Sequence, residues 1–251
     1  SFFIKILSLI ESFIYSQSKH VVVLSEGAIN YVKKKGAKKV SFLPNGSDLD
    51  FFKYSKLNKE NLGFSRKRPF KVLYCGTHGE ANNLIKVIEA AELLKAHPIK
   101  FFLIGDGPTK NMLLKKSAHL KNIIFLSPKP KKEMPKIIAS ADAMLLILKN
   151  IPLFKYGVSP NKLYDSYAIG RPVINNVGGI IAKEISNNKI GINSIPEDSK
   201  SLSESIIYLM KLNRQEREQM SIRARALAEE KYSRQIINKK YNHILNSYIE
   251  N

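Results

Sequence analysis

Apolar positions along this chain change their spacing in a way that separates strands from helices. Short runs of apolar, largely β-branched or aromatic residues stand at 70–75, 99–104, 123–126, 142–148, 172–175 and 190–193. Runs of this length, bounded by turn residues, read as strands buried on both faces. Between them the spacing shifts to a helical period, at about 83–96, 109–119, 131–140, 160–169 and 179–187. Strands alternating with helices imply βαβ units, hence a parallel sheet with right-handed crossovers and helices on both faces. The tail is helical, at about 197–212, 215–230 and 233–249.

The front of the chain follows a different plan. Phe3, Ile6, Leu7, Ile10 and Phe13 fall on one face of a helix. A core helix is the first expectation for that stripe and an interfacial membrane helix the second. Lys5 and Glu11 interrupt it, and it is well short of the roughly 18 uninterrupted apolar residues of a membrane span. It lacks the charged leader and small-residue cleavage site of a signal peptide. Val21 to Leu24 reads as a buried strand, Ser25 as the cap of a helix to about Lys35 ended by Gly36, and Val40 to Leu43 as a second strand. Two short strands do not make a stable parallel layer. Residues 1–46 are therefore expected to be the tail of a domain whose beginning is absent. Residues 47–69 lose periodicity and end in Arg66-Lys67-Arg68-Pro69, which reads as a linker. A larger α/β domain over 70–232 and a final helical segment over 233–251 complete the division.

Composition narrows the class. The chain has 251 residues, 44% apolar and 25% charged, which is globular and not disordered. Lys and Arg number 41 against 21 Asp and Glu, a net charge of +20. Such a chain seeks anions: nucleotides, sugar diphosphates, nucleic acid or an acidic membrane surface. Cys75 is the single cysteine, which excludes an intrachain disulfide framework and a Cys-based zinc cluster. His20, His97, His119 and His243 have no metal-ligand spacing, and the aromatic residues form no basic stripe of a nucleic-acid module.

In an open parallel sheet, ligands bind outside the carboxyl ends of the strands. The first such turn is Gly76-Thr77-His78-Gly79, where glycines open the backbone N–H groups to a ligand or simply make a tight turn. Gly105-Asp106-Gly107-Pro108 follows the next strand and allows the same two readings. The third turn leads from Gly157-Val158-Ser159 into Pro160-Asn161-Lys162. Ser159 is expected to cap that helix, with Pro160 in its first turn. Lys162 then stands where a capping box would place Glu or Gln, facing the positive end of the helix dipole. A phosphate bound between the helix terminus and the ammonium group would remove the conflict, and a lysine snorkelling into solvent would avoid it. Asp165, one turn on, can accept hydrogen bonds from a ribose diol or be an ordinary surface acid.

In order and spacing, these segments resemble glycosyltransferase family 4, the group-1 transferases of GT-B fold. The matching residues are Val22-Val23-Leu24-Ser25-Glu26-Gly27, Leu43-Pro44-Asn45-Gly46-Ser47-Asp48 and Leu73-Tyr74-Cys75-Gly76. They continue with Leu103-Ile104-Gly105-Asp106-Gly107-Pro108, Ala141-Asp142, Ser159-Pro160-Asn161-Lys162-Leu163 and Ala168-Ile169-Gly170-Arg171-Pro172-Val173. The resemblance implies two Rossmann-like domains with a cleft between them. Here the acceptor-domain tail and a doubly wound donor-binding domain would be present, with the last helix returning toward the acceptor domain. Many relatives carry two glutamates eight positions apart in the third loop. Asp165 matches the second, the ribose-binding one, and Gly157 stands at the first. An Arg and a Lys that many relatives have after the first glycine turn are replaced by Thr77 and by Asn82-Asn83. Both departures resemble the branch of bacterial N-acetylfucosamine transferases.

What the resemblance implies is a retaining, metal-independent transferase acting in capsule or O-antigen assembly, with a sugar nucleotide, most simply UDP-linked, as donor. Gly76, Thr77, Gly79, Gly105, Ser159, Pro160, Asn161, Lys162 and Asp165 are the expected donor-site residues. Lys162 would stabilise the departing diphosphate. No cofactor and no metal is expected. The expected location is the cytoplasm, peripheral on the inner leaflet, where lipid-linked acceptors lie and a charge of +20 is attracted. The alternatives are a donor-binding fragment or subunit without catalysis alone, a charge-driven nucleic-acid binder, and a GT-B epimerase.

Overall fold

The computed structural model of the chain describes residues 2–56 and 68–249. The larger unit is built on a six-stranded parallel sheet: β3 (Phe70–Cys75), β4 (Ile99–Ile104), β5 (Ile123–Leu126), β6 (Ala143–Leu146), β7 (Val173–Asn175) and β8 (Gly191–Asn193). The spatial order is β5-β4-β3-β6-β7-β8, so the chain starts at the centre, winds out one way, then returns and winds out the other. The winding reverses between β3 and β6, the place where such sheets leave a crevice at their carboxyl ends. β3 and β4 pair over all six positions, from Phe70 opposite Ile99 to Cys75 opposite Ile104.

Alternation along β3 shows why this sheet is covered on both sides. Val72 and Tyr74 point into a core with α3 (Ile85–Leu93) and α9 (Ser199–Lys211), while Leu73 and Cys75 point into another. The second core holds α5 (Met134–Ala139), α7 (Asn161–Ile169), α8 (Ile180–Asn188) and α10 (Arg214–Lys231). With a side-chain period of two and both faces apolar, the strands read as hydrophobic runs, interrupted in β3 and β4 only by Lys71 and Lys100 at their second positions. α4 (Lys110–Lys116) joins β4 to β5. A short helix, α6 (Pro152–Lys155), was not predicted; one turn opened by a proline is too brief to show a period.

The smaller unit contains α1 (Phe2–Gln17), β1 (Val21–Val23), α2 (Ile29–Lys34) and β2 (Val40–Phe42), with β1 and β2 parallel. Here the structure corrects three expectations. The core-helix reading of α1 does not hold among the described residues: none of its residues is buried, and Phe3 and Phe13 are 75% and 66% exposed. The physical reason is that α1 meets α2 through its polar side. Tyr31 donates to Glu11 at 2.8 Å, Lys35 pairs with Glu11 at 3.5 Å and also bonds Ser8, leaving the apolar stripe outward. The strand at 21–24 is not uniformly buried, since only Val23 is enclosed; among the described residues β1 pairs with β2 alone. Ser25 does not cap its helix with its side chain but donates across 131 positions to the Tyr156 carbonyl at 2.5 Å.

The linker predicted over 47–69 lies partly outside the described residues, at 57–67. Its first part is packed: Phe52 is buried with α7 and α10, and Ser47 forms a parallel bridge to Ser233. The last helix, α11 (Arg234–Asn246), ends against the smaller unit, where the Tyr248 hydroxyl lies 3.1 Å from His20 Nδ1. No helix among the described residues is long and apolar enough to cross a membrane.

Candidate functional site

Two glycine turns at the strand ends form one bonded unit. Gly76 N–H donates to Ile104 O at 3.0 Å, and Gly105 N–H to Leu126 O at 3.1 Å, so the ladder continues past the strands. His78 N–H donates to Asp106 O at 2.8 Å, and Thr109 donates to His78 O through its N–H at 3.0 Å and its hydroxyl at 2.6 Å. The Tyr74 hydroxyl donates to Thr77 O at 2.8 Å. Gly76 and Gly105 have φ of +145° and +147°, a conformation that L side chains rarely adopt. The His78 ring is fully buried between Tyr74 and Phe125, and burial, with Lys110 nearby, pushes its pKa down.

These turns edge a cavity of about 610 Å³ that is closed on its other side by α5, α7 and the loop after β5. Of the residues expected to bind a donor, Gly76, Thr77, Gly105, Asn161, Lys162 and Asp165 line it. Gly79, Ser159 and Pro160 do not. Another hollow, of about 380 Å³, lies at the amino ends of β3 and β4 among Lys95, Lys100 and Lys121. It has the same sign of charge but no glycine turn and no opening helix, so basic charge alone does not locate the site.

Ser159 is a correction. Pro160, not Ser159, holds the N-cap position of α7, with ψ of 127° and no side-chain cap. The Ser159 hydroxyl instead accepts from Asn45 N–H at 2.8 Å and lies 3.0 Å from the Tyr164 hydroxyl. Asn45 also donates from its side chain to Ser159 O at 2.7 Å. A local cap is displaced by a tie to the Pro44-Asn45-Gly46 turn. The first turn of α7 thus keeps its leading amides without a side-chain acceptor.

Lys162 reaches from that turn back across the cavity. Its Nζ sits 4.1 Å from the centre of the Tyr74 ring and 3.0 Å from where a Cβ on Gly76 would lie. Among the described residues its ammonium makes no hydrogen bond or ion pair. Burial pulls its pKa down to about 8. The neighbouring Cys75 thiol is pushed up to about 12 by burial, so it offers no thiolate partner at neutral pH. A recessed cation without a counter-charge, beside an open helix start, is an arrangement suited to a bound anion. Asp165 lines the same cavity, and burial raises its carboxyl to about 6 against the Ser47 hydrogen bond and the charges of Lys131 and Arg234.

Sequence reasoning missed Lys129, Lys131, Phe52 and Ile138 of the cavity wall. A signal existed for the lysines: Pro128-Lys129-Pro130-Lys131-Lys132 follows a strand, as the glycine turns do. Among the described residues no group of three or more His, Cys, Asp or Glu is placed to hold a metal ion.

A family model described as glycosyl transferases group 1 matches residues 56–227. The chain belongs to the group 1 glycosyl transferases. A curated relative, the putative colanic acid biosynthesis glycosyl transferase WcaI of Escherichia coli (strain K12), is 29% identical over 162 residues, 60% of this chain. This chain spans 39% of the length of that relative. Among solved structures, a glycosyltransferase of Rickettsia africae ESF-5 matches 96% of this chain and 67% of its own, with a TM-score of 0.78 at 17% identity. The HepE protein of Anabaena, solved with UDP-glucose, gives the same coverages and identity at a TM-score of 0.77. At such identity these likenesses show the fold: a mixed α/β GT-B architecture, which the resemblance in sequence also implied.

Proposed function

We propose that this chain forms the nucleotide-sugar side of a retaining glycosyltransferase. The donor is a UDP-linked hexose or N-acetylhexosamine, and the acceptor a glycan or lipid-linked glycan of bacterial surface polysaccharide. The observation that carries this reading is the unpaired Lys162 ammonium at the open first turn of α7, facing Gly76 across a strand-end cavity. When the bond between the sugar and the diphosphate breaks, negative charge grows on the leaving oxygens. Lys162 and the leading amides of α7 are already aimed at that charge, so no reorganisation is needed as it develops. Asp165 holds the ribose diol one turn further along, and Gly76, Thr77 and Gly105 let the donor lie against backbone. The cations do this work without a metal.

HepE with UDP-glucose and a colanic acid relative support the donor class and the polysaccharide setting. Peripheral attachment to an anionic cytoplasmic leaflet agrees with the charge of +20.

The test is a thermal-shift titration with UDP, GDP and ADP. A ligand at about 100 times its dissociation constant stabilises by roughly 2.7 kcal/mol. A shift selective for UDP is the expected result. No shift with any of the three, on protein shown by circular dichroism to be folded, would remove the donor-site reading. Transfer of label from a UDP-sugar to a lipid-linked glycan then separates turnover from binding alone.

A further inference from the structure

The Asp165 carboxylate is held by a residue that no donor-site reading includes. Ser47 is fully buried, and its hydroxyl donates to Asp165 Oδ1 at 2.6 Å across 118 positions of sequence. Its backbone is bonded on both sides at the place where the two chain crossings between the units meet. Ser47 N–H donates to Tyr232 O at 2.8 Å, and Arg234 N–H donates to Ser47 O at 2.9 Å. The crossing is tight: a Cβ on Gly46 would come within 2.5 Å of Ile237 and 2.6 Å of Tyr232 O. The hydroxyl is therefore delivered by a backbone with little freedom, and full burial keeps water from replacing it. Among the described residues Asp165 Oδ2 accepts no hydrogen bond.

We infer that Ser47 is a positioning residue for the ribose of the donor, fixing the Asp165 carboxylate so that its other oxygen meets the ribose diol. This rests on the ribose role of Asp165 proposed above. A carboxylate has about four acceptor positions, so one bond to Ser47 leaves room for two ribose hydroxyls. Because Ser47 is bonded to the segment between α10 and α11, the donor carboxylate is tied to the crossing between the two units.

The charged groups facing Asp165 are Lys131, from the turn before α5, and Arg234, from the start of α11. Its carboxyl, raised by burial, accepts more strongly and from both hydroxyls when ionised, so affinity falls as pH drops through about 6. The Ser47 bond favours the ionised form. Removing it moves that acid limb to higher pH.

The experiment measures the affinities of uridine diphosphate and 2′-deoxyuridine diphosphate between pH 5 and 8, by calorimetry. The proteins are wild type, Ser47→Ala, Ser47→Cys, Asp165→Asn and the Ser47→Ala/Asp165→Asn pair. Wild type is expected to prefer the ribonucleotide. In Ser47→Ala that preference falls threefold or more and the acid limb moves up. In the Asp165→Asn background Ser47→Ala has no further effect. Ser47→Cys retains the bulk of the side chain and supplies the same comparison if the alanine variant does not fold. Preference and acid limb unchanged in the Ser47 variants, while Asp165→Asn loses both, would overturn the proposal. A ribose preference that survives Asp165→Asn would instead remove the ribose role itself, and the proposal with it.

Discussion

Lys162→Met is expected to weaken binding of uridine diphosphate about 30-fold or more while raising the thermal midpoint of the nucleotide-free protein. The two effects have one cause. The ammonium is recessed beside the Tyr74 ring and, among the described residues, has no counter-charge. Its lowered pKa, about 8, reflects that desolvation. Methionine keeps the length of the side chain and removes the uncompensated charge, so the empty protein gains. With a diphosphate bound, the ammonium becomes half of a buried charge pair, and truncating one partner of such a pair costs at least about 2 kcal/mol, roughly 30-fold.

The pH behaviour has a definite sign. Lys162 titrates near 8 in the folded protein and near its ordinary 10.5 when unfolded, so between these values the unfolded chain binds more protons. Stability of the empty protein therefore rises with pH through that window, and the rise is missing in Lys162→Met. Nucleotide affinity runs the other way, falling as pH rises above about 8. Lys129→Met is the comparison, since Lys129 lines the same cavity but is exposed. Its loss should change affinity threefold or less. Isothermal titration and thermal melts from pH 6 to 10 measure all of this. Wild-type affinity in Lys162→Met would take the lysine off the diphosphate.

The contrast between these two lysines shows what was legible in the sequence. The strands at 70–75, 99–104 and 123–126 could be read to the residue, because strands covered on both faces are apolar at nearly every position, here broken only by Lys71 and Lys100 near the amino ends of the first two. Lys162 could be singled out because it conflicts with the helix start it occupies. Lys129 and Lys131 break no local rule, so only their place after a strand marks them. What stayed hidden is whatever depends on distant partners. Ser159 reads as a cap until Asn45, 114 positions earlier, takes its hydroxyl. Ser47 has no local signal at all, since its partner Asp165 lies in another element. The stripe of α1 was legible as a helix, but which side it would turn outward depended on Tyr31 and Lys35 of α2, which bond its polar side.

The glycines of the first two turns differ in the same manner, and substitution should separate them. Gly105→Ala is expected to cost about 3 kcal/mol of stability, and Gly79→Ala no more than about 0.5 kcal/mol. At Gly105, φ is +147°, and a Cβ would lie 1.9 Å from the Gly76 carbonyl oxygen. That oxygen belongs to the backbone leaving β3, held against β4 by the bond from Gly76 N–H to Ile104 O. It cannot yield without opening the ladder, and on its other side the added methyl meets the buried His78 ring at 3.2 Å. At Gly79, φ is −109° and the nearest atoms to an added Cβ are 3.5 Å away, which is ordinary contact. Gly105 is thus glycine because two turns pack against each other, whether or not a ligand is present. Any loss of nucleotide affinity in Gly105→Ala should accordingly follow the loss of fold. Urea unfolding of both variants decides the matter. A Gly105→Ala protein as stable as wild type would mean that the two turns can separate, and that the pocket edge they form is not the rigid wall on which the diphosphate geometry depends.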